Sequence, residues 1–149
     1  YRLPWTPVPG TLVPVKSALQ ALTNPGVDAY IVVTKMAIAN AVGDGNDTYV
    51  EGLGIGHQGS MFGDTNKMFA VYTIRIIDAH SYDTLETEGA HLPKTGLFPR
   101  VPIVDVDASM WSNSANDMTE AQKAAAKEKL TALVHESIGS TLHYMDLAP

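Results

Sequence analysis

The 149-residue chain contains no cysteine. That absence removes disulfides, zinc–thiolate sites, iron–sulfur clusters and thiol nucleophiles together. It leaves the compartment open, because a chain without thiols suits a reducing or an oxidising space. Cations are scarce as well: ten Lys and Arg stand against sixteen Asp and Glu, a net charge of −6. Nucleic-acid affinity comes largely from clustered cations, and outside the last helical segment these are dispersed. No nucleic-acid partner is expected. Long apolar runs are also missing. The longest apolar-rich stretch, residues 29–39, is interrupted by Lys35 and falls short of the roughly 20 residues that span a bilayer, so no transmembrane segment is expected. The start at Tyr1, with neither methionine nor an apolar leader, leads to the expectation of a processed, exported form or of a fragment.

What remains is an ordinary globular composition, 45% hydrophobic and 17% charged, which predicts one core. Residues 1–10 place Pro4, Pro7 and Pro9 around Trp5; three prolines this close fit neither a helix interior nor a sheet. They predict an extended arm, with Trp5 and Pro7 as candidate partner contacts, ahead of a single domain over residues 11–149. Leu12, Val15, Ala18, Leu19 and Leu22 recur at helical spacing, with Thr11 as N-cap and Asn24, Pro25 and Gly26 as the stop. Residues 28–38 are apolar on both faces, which predicts a strand in the middle of a sheet.

Turn formers at 43–47 separate that strand from residues 49–57, and residues 58–66 read as a second Gly-, Asp- and Asn-rich break. Residues 67–78 predict a long central strand, Met68, Ala70, Tyr72, Ile74 and Ile76 alternating with Phe69, Val71 and Thr73. After a polar reversal the chain returns over residues 84–90, where Glu86 and Glu88 would blunt further pairing at an edge; these two are also candidate partner contacts. Residues 92–102 read as an irregular crossing and 103–107 as a short extended segment. Thr119 and Gln122 have capping-box spacing ahead of a long amphipathic helix, with Ala126, Leu130, Leu133, Ser137, Thr141 and Met145 on one face. Gly139 in that helix predicts close packing or a bend. The fold class expected is α+β: a mostly antiparallel sheet of four or five strands with a long C-terminal and a short N-terminal helix packed on it.

The chemistry-bearing patterns are few. Gly54, Gly56 and Gly59 satisfy G-x-G-x-x-G, but dinucleotide binding needs a helix opening at the third glycine, and residues 60–66 do not supply one. Asp44, Asn46 and Asp47 lack the glycine and glutamate spacing of a calcium loop. The five histidines show no H-E-x-x-H or H-x-x-x-H spacing, and G-x-S-x-G is absent. Asp105 and Asp107 are two apart, so on a strand their carboxylates share a side; with His135 they are the candidate catalytic residues of an alternative reading, a small metal-dependent or hydrolytic enzyme. No cofactor or resident metal is expected.

The order of elements carries a resemblance. A helix, a strand opening Val27, Asp28, Ala29, Tyr30, Ile31, Val32, Val33, a Gly-rich strand, and a longer strand ending Ile77, Asp78, Ala79 before a reversal into Asp83, Thr84, Leu85 resembles the α+β domains of curli-export lipoproteins, of penicillin-binding-protein activator lipoproteins, and of the N-terminal domain of the Tol-system periplasmic propeller protein. Asp28 and Asp78 match that pattern's two acidic positions. The Thr-Gly of its reversal is replaced by Ser81 and Tyr82, and no lipid-bearing cysteine is present. The resemblance implies a non-enzymatic, exported module, periplasmic or at the cell surface, that binds another envelope component or copies of itself. A further alternative is a subunit of a larger hetero-complex.

Overall fold

Gly63–Asp78 forms one strand of 16 residues (β4), and the rest of the sheet is arranged on it. A computed structural model describes residues 13–22, 26–39, 49–60, 63–94, 99–112 and 114–148; Trp5, Pro7 and the turn at 43–47 lie outside them. The remaining strands are β1 (Ala29–Lys35), β2 (Ala37–Ala39), β3 (Tyr49–Ser60), β5 (Thr84–Gly89) and β6 (Ile103–Val106), all antiparallel to their partners. The described α-helices are α1 (Val13–Gln20) before the sheet and α2 (Glu120–Tyr144) after it. The fold is therefore α+β, with six described strands rather than four or five, because residues 103–106 join the sheet and the stretch expected as one strand at 28–38 divides at Met36 into β1 and β2.

Successive residues of a strand aim their backbone groups to opposite sides, which fixes who lies where. The Val71 carbonyl accepts from Met36 N–H, whereas Ala70 N–H donates to Pro102 O and Tyr72 O accepts from Ala90 N–H. Odd positions of β4 thus face β1 and β3, and even positions face β5 and β6. Along its first flank β4 pairs with β3 as far as Val71 and with β1 from Tyr72 onward. At the handover Met36 inserts between the strands, its carbonyl accepting from Gly52 N–H. Gly52 adopts φ 69° there, a left-handed conformation that costs a side-chain-bearing residue about 1–2 kcal/mol.

Side chains alternate between faces with the same period. Met68, Ala70, Tyr72 and Ile74 are buried on the face covered by α2, together with Leu133 and Met145. On the opposite face Val32 and Ile77 pack against Val15 and Leu19 of α1. The capping box is formed: Thr119 Oγ1 accepts from Gln122 N–H and the Gln122 amide oxygen accepts from Thr119 N–H at 2.8 Å. Gln122 also donates to Ser109 O at 2.8 Å, so the helix start is tied to the turn after β6.

Three expectations need correction. Residues 28–38 do not lie mid-sheet: β1 pairs with β4 on one side and with no described strand on the other. Two apolar faces signal a doubly covered strand only if something covers both, and here no described element covers Ile31 and Val33. Residues 58–66 are not a long break, since β3 and β4 stay paired out to Ser60 and Gly63; tertiary pairing outweighs their weak strand propensity. Gly139 is neither closely packed nor needed for space, because an added Cβ would meet nothing within 4 Å and α2 runs through it. Gly139→Ala should therefore raise stability by about 1 kcal/mol, read as a higher urea midpoint; an unchanged or lower midpoint would show that the glycine has a role in the fold.

Candidate functional site

The open side of β1 is the most distinctive surface. Met36 N–H and Asp28 O both bond toward β4, so the even residues of β1 turn their backbone groups inward. Ile31, Val33 and Lys35 then aim theirs outward, where no described strand receives them. The same three residues carry their side chains on the α2 side of the sheet but beyond the helix: Ile31 is 62% and Val33 55% exposed. Leu53, opposite Ala70, continues that face where β3 replaces β1, and it is 54% exposed. Ion pairing at the end of the stripe is weak, Lys35 Nζ lying 3.5 Å from Glu51 with both side chains in solvent.

The other long edge is built differently. Among the described strands β5 pairs with β4 alone, and its register slips between Ile76 and Ile77. Glu86 is exposed and Glu88 half-buried, opposite Ile76 and Ile74. A bulge and charged side chains are ordinary means of discouraging an added strand. β1 has neither before Lys35.

A second feature is a buried polar seam between α2 and the sheet. The Tyr72 hydroxyl lies 2.7 Å from Ser137 Oγ, and Thr141 Oγ1 donates to Ser137 O while accepting from His91 N–H at 3.1 Å. Burial pushes the Tyr72 phenol above its ordinary value, an effect partly offset by the hydrogen bond to Ser137. His91 Nδ1 is 3.0 Å from Gly89 O; a carbonyl only accepts, so the proton sits on Nδ1. Nε2 is buried with no hydrogen-bond partner among the described residues, and the ring rests edge-on against Tyr144 at 4.7 Å. The seam bonds to itself and to backbone, which is the chemistry of a structural clasp.

The sequence candidates for catalysis occupy separate places. Asp105 is exposed on β6 opposite Lys67, whose Nζ it meets at 3.0 Å on the face away from α2. Asp107 caps the 3₁₀ turn Ala108–Met110, accepting from Ser109 N–H at 2.7 Å. His135 is exposed on α2. No hydrogen bond or ion pair joins the three, and among the described residues no three His, Asp or Glu side chains come together as a metal set. The glycine motif lies within β3, where Gly54 makes room for the Phe69 ring: a Cβ there would sit 2.9 Å from Phe69 Cζ. No described helix is long and apolar enough to cross a membrane.

Two aspartates tune acid stability. Asp78 accepts from Ser81 N–H at 2.7 Å and His80 N–H at 2.8 Å, which holds its carboxyl below the ordinary carboxylate value. The Ser109 hydroxyl and N–H do the same for Asp107. A lowered folded value means the native state binds fewer protons than the unfolded chain. The contribution is therefore present above about pH 4 and is lost as pH falls through the lowered value. Asp78→Asn combined with Asp107→Asn should flatten the fall of the urea midpoint between about pH 5 and about pH 2.5; an unaltered slope would contradict both assignments.

No protein-family model, curated protein or solved structure matches this chain.

Proposed function

We propose that the protein is a non-enzymatic binding or assembly module of the bacterial envelope, which engages an extended protein segment along the outer edge of Ala29–Lys35. The observation that carries this reading is the combination, at Ile31 and Val33, of outward backbone groups that no described strand receives with exposed apolar side chains. Strand addition uses both: main-chain hydrogen bonds supply affinity, and alternate side chains supply selectivity. The contrast with the charged, bulged β5 edge supports the choice of side. An envelope setting is supported by the order of elements shared with the exported domains named above. At the reversal, Asp78 caps the turn and Tyr82 adopts φ 61°, the left-handed conformation open to glycine at the place where that pattern carries one.

A photo-crosslinking residue at position 31, in protein exported to the bacterial periplasm, should give a discrete protein adduct, whereas the same residue at position 86 should give none. Absence of any adduct from position 31, including one between two copies, would overturn the docking-edge reading.

A further inference from the structure

We infer that the segment received by this edge is the same strand of a second copy, the two β1 strands lying antiparallel with Val32 of each at a two-fold axis. This rests on the docking-edge reading above. Outward-facing backbone groups occur at odd positions, so a symmetric pair must match odd residues with odd ones. Centred on Val32, the pairing sets Ile31 opposite Val33 of the second copy, and the reverse, giving an apolar middle made of the two exposed aliphatic side chains on each strand. Centring on Ile31 or on Val33 instead leaves one of them opposite an alanine or a lysine.

The ends are complementary in charge. Lys35 falls opposite Ala29 of the second copy, on the same face of the sheet as Asp78, the β4 partner of that alanine, and the two-fold repeats that approach at the other end. A contact of this kind matches the same patch on both copies, as closed dimers require.

Neither helix blocks the approach. α1 packs over Val32 and Ile77, hence over the β1–β4 pair. Strand spacing puts the midlines of the two β1–β4 pairs about 10 Å apart, which is the usual distance between packed helices. On the other face α2 lies over Met68, Ala70 and Ile74 of β4, leaving the Ile31 and Val33 stripe uncovered. One strand pair is a small contact, so the dimer should be reversible, with a dissociation constant in the micromolar range.

The absence of cysteine makes the register testable with single thiols. Val32→Cys puts two thiols in a non-hydrogen-bonded antiparallel pair, within reach of a disulfide. Thr34→Cys puts them roughly 13 Å apart along the strands, out of reach. In a glutathione buffer the first should form a covalent dimer at least about tenfold faster than the second. Light scattering of the unaltered chain should rise toward twice its mass with concentration, and Val33→Lys should abolish that rise while circular dichroism stays unchanged. Equal crosslinking of both thiols would overturn the register. A chain that stays monomeric at about 1 mM, far above a micromolar dissociation constant, would overturn the second copy as occupant. In that case a position-31 adduct to a different protein leaves the docking edge standing, and no adduct removes both readings.

Discussion

Met68→Ala is expected to destabilise the fold by about 2–5 kcal/mol. Met68 is 0% exposed and sits where three strands meet beneath α2, opposite Ile55 on β3 and Val104 on β6. Truncation removes its transfer free energy and leaves a cavity among Ala70, Tyr72, Leu133 and Met145, side chains held by both sheet and helix and so poorly able to collapse inward. Domains of this size are stable by only about 5–15 kcal/mol, and each kcal/mol moves the melting temperature by about 2–4 °C. A drop on the order of 10 °C by circular dichroism is therefore expected. Val101→Ala, at a half-exposed site near the end of the crossing, should stay within about 0.5 kcal/mol of the unaltered protein. Equal effects of the two substitutions would contradict the placement of the core on β4.

Thr141→Val should cost about 1–3 kcal/mol despite conserving shape, because it leaves His91 N–H buried without an acceptor. The Ser137 carbonyl loses one donor but keeps its place in the helix, so the larger penalty falls on His91. That residue begins the crossing from β5 to β6, where Ala90 and Leu92 are also buried. The loss should therefore be local as well as global: the His91 amide should exchange faster with solvent than the rest of the core. Thr141→Ser keeps the hydroxyl and should recover most of the loss. If valine and serine behave alike, the hydrogen bond contributes nothing and the seam is held by packing alone.

The parts of this fold legible in the sequence were those set by local pattern. The alternation of Met68 to Ile76 marked β4 as central, and Thr119 with Gln122 marked the start of α2, because periodicity and capping act over a few residues. The Asp78 reversal and the edge position of Glu86 and Glu88 were visible for the same reason. What stayed hidden depends on residues far apart in the chain. The Gly54 gap exists for Phe69 across a strand pair, and the Thr141 hydroxyl serves an amide 50 positions earlier.

The edge position of β1 departs from the sequence expectation for a more instructive reason. Apolarity on both faces of residues 28–38 is common to a covered central strand and to an edge strand that awaits one. The signal that separates them was present in the contrast between strands. Thr84–Gly89 carries two glutamates on one face, whereas Ala29–Lys35 has no charge before its last residue. Likewise Asp105 and Asp107 looked like a pair because of their spacing alone, but β6 ends at Val106 and Asp107 turns to cap the next turn.

The central claim is that β1 presents an outer edge that no described strand pairs, and residue-resolved amide hydrogen exchange on the dilute chain tests it most directly. Val32 and Thr34 bond inward to β4 and should be protected, whereas Ile31, Val33 and Lys35 should exchange nearly as fast as unstructured backbone, giving an alternating pattern along one strand. Uniform protection of all five amides in dilute solution would show that the outer edge is already occupied within the chain and would contradict the account.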